Sequence, residues 1–271
     1  MIARVLGPLQ ATMNGATVVP TALKAKKLLA LLVLNRGRVV QRATIERELW
    51  GQDAPMSAST GIQNCVMQIR KAIGCAQSSG FAARPPKQTL ITEPTGYRLD
   101  VPGEQFDVSC YRRLVVAADE AEAQGELTQA SAQLNAALNL WRDAPLSDVP
   151  AGPVLRSHVL RLEEDRKSVL SRRVGLDLRL QRYSEVIGEL HALVTLNPYD
   201  EVLHEYLILA LYLSGRRNDA LAAYQGVRTA MADGVGLEPS PRLRSLQQRI
   251  LSADGMLELR FMGRSADLVT A

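Results

Sequence analysis

Three segments beyond residue 120 share one spacing of small and apolar residues, and a repeated helical unit must stack on its neighbours to bury its apolar face. In "AQGELTQASAQLNAAL" the positions are Gly125, Leu127, Ala130, Leu134 and Ala137. In "RLQRYSEVIGELHALVTLNP" they are Gln181, Tyr183, Val186, Leu190 and Leu193, with Pro198 closing. In "YLSGRRNDALAAYQGV" Gly215, Ala220, Tyr224 and Val227 match, preceded by Leu207 and Leu211. From Gln181 to Gly215 is 34 residues, but from Gly125 to Gln181 is 56. The longer offset predicts an interruption around Trp141–His158, a Pro-rich loop, and then a long charged helix, "VLRLEEDRKSVLSRRVGLDLRL".

The 34-residue period is that of tetratricopeptide helical hairpins, whose stacked surfaces bind proteins or peptides. Gln181 departs from the glycine of the other two registers, and Asn218 stands where an acid or glutamine is common. "GVGLEPSPRLRSLQQRIL" is expected to close the array as a helix starting near Glu238–Pro241, and residues 253–271 form a tail that matches nothing.

Charge separates the front of the chain from this array. Residues 1–100 carry 13 Lys/Arg against 5 Asp/Glu, a net of +8, whereas residues 101–271 carry 19 against 23, a net of −4. No acid lies between Asp53 and Glu93, while Arg70, Lys71, Arg84 and Lys87 do. Such a confined excess points to a polyanion partner for the front portion.

The front portion opens with short β-type runs around Asn14-Gly15, a pair suited to the two positive φ angles of a type I′ turn. In "ALKAKKLLALLVLNRG" Leu28, Leu31, Leu32 and Asn35 share a helix face, and Gly37 is a stop. A short extended "RVV" precedes a second helix, about Arg42–Trp50. In "STGIQNCVMQIRKAIG" Ile62, Val66, Ile69 and Ile73 form the buried stripe of a third helix, with Ser57 or Ser59 as its cap. Opposite lie Thr60, Asn64, Met67, Gln68 and Lys71, flanked by Gln63 and Arg70, with no carboxylate. "TLITEPTGYRLDV" reads as a closing hairpin around Pro94-Thr95-Gly96.

Strands, three helices with a short second one, and a closing hairpin describe a winged helix-turn-helix, whose third helix enters the DNA major groove. Gln63, Asn64 and Gln68 amides suit base edges, and Met67 or the Thr60 methyl suits a thymine methyl. Arg70 and Lys71 suit guanine or phosphate, whereas a carboxylate would be repelled. The competing reading is an ordinary solvated helix face.

"LLALLVLNRGRVVQRATIERELWGQDAP", "STGIQNCVMQIRKAIG" and "LITEPTGYRL" resemble the OmpR-type DNA-binding domain of the Streptomyces antibiotic regulatory proteins (SARPs). "LHEYLILALYLSGRRNDALAAYQGVRTAMADGVGLEPSPRLRSLQQRIL" resembles the bacterial transcriptional activation domain that follows it in that family. The resemblance implies a mainly α chain with a small β part: a winged helix over residues 1–103, a tetratricopeptide-like helical domain over 104–252, and a tail over 253–271. It places Thr60, Gln63, Asn64, Met67, Gln68, Arg70 and Lys71 on the recognition helix, Lys24, Lys26, Lys27 and Arg42 against the DNA backbone, and Thr95, Tyr97 and Arg98 in the wing. Tyr97 reads equally well as a core residue packing the hairpin on the helices.

By the same resemblance the function is an activator that binds direct repeats in promoters of secondary-metabolite genes, head to tail, and recruits RNA polymerase holoenzyme. The alternatives are a tetratricopeptide-type adaptor and a ligand-sensing regulator with a nucleic-acid-binding front domain. No P-loop, GxGxxG, HExxH or GxSxG motif occurs, so no enzyme, cofactor or metal is expected. Too little chain precedes Ala22 for a phosphoacceptor receiver, and the longest apolar run, Leu28–Leu34, is too short for a membrane span, so the expected location is the cytoplasm, at the nucleoid. The odd cysteine count makes a disulfide framework improbable, and Cys65 reads as a small buried hydrophobe.

Overall fold

A computed structural model of the chain describes residues 1–77, 85–101 and 106–252. The expected tail lies outside the described residues, as does Arg84. Two compact units are formed, one of Met1–Ala117 with Asn135–Ser168 and the other of Ala118–Leu134 with Val169–Ala271.

The first unit opens with the antiparallel strands β1 (Ile2–Arg4), β2 (Gln10–Met13) and β3 (Ala16–Thr17), in that order. Asn14 and Gly15 join the last two with φ of 50° and 80°, the turn anticipated from their identity. Helices α1 (Leu23–Leu34), α2 (Arg42–Trp50) and α3 (Ala58–Gln77) follow, with β4 (Val39–Gln41) between the first two. A helical turn, α4 (Pro86–Thr89), was not anticipated and leads into the hairpin β5 (Leu90–Glu93) and β6 (Gly96–Leu99). β4 pairs with β6, giving the order β4-β6-β5. The winged helix-turn-helix is therefore present, and α1 is buried on nearly every side, from Leu28 through Val33, rather than on one face.

Buried carboxylates hold distant backbone to this frame. Glu48 of α2, 1% exposed, accepts from the amides of Gly152 (2.6 Å), Val154 (2.9 Å) and Leu155 (2.8 Å). These are the first amides of α7 (Pro153–Arg179), donors that no helix can satisfy internally. Asp107, at the start of α5 (Asp107–Ala123), accepts from Val5 (2.7 Å), Leu6 (2.9 Å) and Val108 (2.9 Å). Burial pushes its carboxyl above the ordinary range, against the pull of those amides.

The interruption of the repeat has a use within this unit. The amide of Leu146 bonds the carbonyls of Val5 (3.1 Å) and Gly7 (2.8 Å), and that of Arg142 bonds Leu6 (2.9 Å). Leu9 in turn donates to Asp148 (2.7 Å), so the Pro-rich loop grips the segment after β1 as an irregular partner strand. Leu146 takes φ of 55°, rare for a bulky residue, with its side chain buried at 2% exposure. The loop ends earlier than expected: α7 begins at Pro153 and takes in His158.

In the second unit the repeat is written in the backbone. Gly125, Gln181 and Gly215 have φ of 77°, 59° and 81°. In each, the amide of the next residue reaches back five positions: Glu126 to Ala121 (2.9 Å), Arg182 to Asp177 (3.0 Å) and Arg216 to Leu211 (2.9 Å). This is one left-handed helix cap used three times. It joins α5 to α6 (Leu127–Leu138), α7 to α8 (Tyr183–Leu196), and α9 (Glu201–Leu213) to α10 (Arg217–Val235). Val186, Leu190, Leu207, Ile208, Tyr224 and Val227 pack in one core, closed by Leu243, Leu246 and Ile250 of α11 (Pro241–Leu251). Asp177 sits beside it at 5% exposure, accepting from Ser131 (2.6 Å) and paired with Arg173 and Arg182.

Gln181 occupies a conformation that glycine adopts without steric cost. Gln181→Gly should raise stability by about 0.5–1 kcal/mol in urea unfolding, and Gln181→Val should lower it by at least as much.

Candidate nucleic-acid interface

The stripe Ile62, Val66, Ile69 and Ile73 is buried as expected, with Cys65 and Ala76 beside it. Burial pushes the Cys65 thiol up despite the nearby charge of Lys24, leaving it a packing residue. Thr60, Gln63, Asn64, Met67, Gln68 and Lys71 are all exposed, and Met67 keeps 61% of its surface in solvent. Six exposed side chains without a carboxylate therefore share one side of a 20-residue helix.

Arg70 stands apart from them. Its guanidinium donates from Nε (3.1 Å) and Nη2 (2.7 Å) to the Leu90 carbonyl and from Nη2 to the Thr92 hydroxyl (2.8 Å). These bonds aim it at β5 instead of outward with its neighbours.

The expected backbone cations divide as well. Lys24 is exposed, its Nζ 4.6 Å above the centre of the Trp50 ring, and that ring lies against Gly61 of α3. Arg42 is exposed at the first position of α2. Lys26 is not free: its Nζ lies 2.6 Å from Asp148, and Lys27 is half-buried. Burial acts to raise the Asp148 carboxyl, but the Lys26 hydrogen bond and charge, with the Leu9 amide, hold it below its ordinary 3.8.

In the wing, Thr95 is exposed at the hairpin tip, where its carbonyl accepts from the Arg42 amide (2.9 Å). Tyr97 is 4% exposed and paired with Val40 and Thr92, so of its two readings the core one holds. Arg98 is half-buried and ion-paired with Glu93 at 3.0 Å. A Cβ on Gly96 would fall 1.9 Å from the Val40 carbonyl oxygen, so only glycine lets β6 approach β4.

Sequence reasoning missed Trp50 as the platform for Lys24, Thr92 as a partner of Arg70, and Glu48. Glu48 had a signal: it shares the inward face of α2 with Ile45 and Leu49, an unusual place for a carboxylate.

A winged helix-turn-helix with an amide-rich, acid-free third helix, in a chain with stacked helical hairpins, defines the class of transcriptional regulators. The family models agree: that of the transcriptional regulatory protein C-terminal domain matches residues 17–99, and that of the bacterial transcriptional activator domain matches residues 106–251. Regulatory protein DnrI of Streptomyces peucetius is 41% identical over 249 residues, covering 92% of this chain and 91% of that protein. Regulatory protein AfsR of Streptomyces coelicolor is 35% identical, but the chain spans only 24% of it. The solved structure of Mycobacterium tuberculosis EmbR in complex with a low affinity phosphopeptide superposes with a TM-score of 0.84 at 34% identity, covering 97% of this chain and 68% of that one. The chain belongs to the SARP family of transcriptional regulators.

Two outcomes test this geometry. Gly96→Ala should cost about 2 kcal/mol or more, read as a lowered midpoint in urea, because β4 and β6 must separate. Asp148 has a depressed native pKa, so its stabilisation is present above 3.8 and is lost as the pH falls through the lower native value. The stability difference between wild type and Asp148→Asn should therefore be constant near neutrality and shrink below about pH 4 in unfolding curves taken across pH.

Proposed function

We propose that the chain is a sequence-specific, DNA-binding transcriptional activator with a winged helix over residues 1–103 and an activation domain over 104–252. The observation that carries this reading is the exposed, carboxylate-free face of α3: Thr60, Gln63, Asn64, Met67, Gln68 and Lys71. Amide side chains can make paired hydrogen bonds to adenine edges, and Lys71 can reach guanine or phosphate. Exposed Lys24 and Arg42 supply backbone neutralisation beside it, with Thr95 at the tip of the wing. Binding to direct repeats, which the resemblance to the family supports, sets two protomers head to tail in this reading. The helical hairpins offer a protein-binding surface, which in this reading engages RNA polymerase holoenzyme.

Binding to promoter fragments, followed by anisotropy across salt concentrations, tests the front of the chain. Asn64→Ala and Gln68→Ala should each weaken specific binding about 5- to 150-fold and leave non-specific binding unchanged. Lys71→Ala should lower the salt slope by about one. Transcription in vitro with purified holoenzyme tests the rear: added protein should raise transcript from a repeat-bearing promoter. Repression, or dependence on a small molecule, would sink the activator assignment and favour a ligand-sensing regulator.

A further inference from the structure

β5 is the outer strand of β4-β6-β5, and its residues alternate between facing β6 and facing away. Asp100 donates to the Thr89 carbonyl at 2.8 Å on the inner side, so the Leu90 carbonyl faces outward, where no strand among the described residues pairs with it. Arg70 of α3 fills that position with two donors and adds a third bond to Thr92. At the far end of the same hairpin the Thr95 carbonyl accepts from the first amide of α2. The wing is thus tied to α2 at its tip and to α3 at its base.

We infer that Arg70 is a positioning residue that fixes the span between the recognition helix and the wing. The inference rests on the DNA-binding reading above. A helix in the groove and a hairpin on the adjacent backbone bind as one body only if their separation is set beforehand; slack between them must be removed on binding and lowers affinity. The planar guanidinium reaches two acceptors at once, a geometry that a lysine ammonium on a flexible stem does not reproduce. Charge alone at position 70 is therefore insufficient.

The test measures affinity of the full chain for a footprinted promoter fragment, well below the melting temperature of every variant, with circular dichroism to give the folded fraction. Arg70→Lys and Arg70→Ala should weaken specific binding equally, about tenfold each. Thr92→Val should weaken it about threefold in the wild type and not at all in an Arg70→Ala background, because the bond it removes is already gone. Near-wild-type affinity of Arg70→Lys with a salt slope lowered only in Arg70→Ala would make Arg70 a phosphate contact and overturn the inference. Multiplying effects of Thr92→Val and Arg70→Ala, or unchanged affinity of the folded fraction in both Arg70 variants, would overturn it too. Failure of the wild type to bind any promoter fragment specifically would sink the DNA-binding reading itself, an outcome distinct from these.

Discussion

Glu48 places a buried negative charge against the start of α7, 104 residues further along the chain. Three amides at that end have no helical partner, and the helix dipole adds positive potential there. A carboxylate meets both demands at once, and its own burial is tolerable because its oxygens are satisfied by those donors. Removing it would leave those three amides without their acceptor. The same helix that carries Glu48 begins at Arg42, whose amide holds the wing tip, so one short α2 fixes features at both of its ends.

This arrangement bears on how the interface is organised. Acids from the rear of the sequence enter the front unit as structural acceptors: Asp107 for the segment after β1, Asp148 for Leu9 and Lys26. The apparent cationic surplus of the front is therefore partly consumed within the fold. Lys26 and Arg98 are spent on ion pairs and Arg70 on a carbonyl, while Lys24, Arg42 and Lys71 are exposed, as are Arg4, Arg38, Arg47 and Lys87 of the same segment. A basic segment is thus an upper bound on what faces a polyanion, since Coulomb attraction draws buried or half-buried cations to acids first.

Much of the fold was legible because local rules acted alone. Asn14-Gly15 demanded a turn, the 3.6-residue period of Ile62 through Ile73 fixed which side of α3 is buried, and α2 began and ended where the sequence indicated. The equivalence of Gly125, Gln181 and Gly215 was readable from spacing even though glutamine is a poor fit to positive φ. The extra 141–152 loop was visible as an interruption, but its purpose was not, because its partners are backbone groups near residue 6 that carry no side-chain signal. The direction of the Arg70 side chain was not legible for a related reason: helical periodicity puts it at the edge of the polar face, and only the nearby β5 carbonyl decides which way a long side chain turns.

The sequence by itself determined the element types, the buried stripe of α3, the acid-free composition of its exposed face and the hairpin repeat. All of these depend on residue identity at short range, through periodicity, turn chemistry and charge. Only the tertiary structure decided which cations are free, which of two roles Tyr97 takes, and that Glu48 belongs to a helix more than a hundred residues away. Those outcomes depend on where unsatisfied backbone donors and acceptors come to rest once distant segments pack. Hydrogen-bond satisfaction in a buried place is a property of the assembled neighbourhood, not of any local stretch of chain.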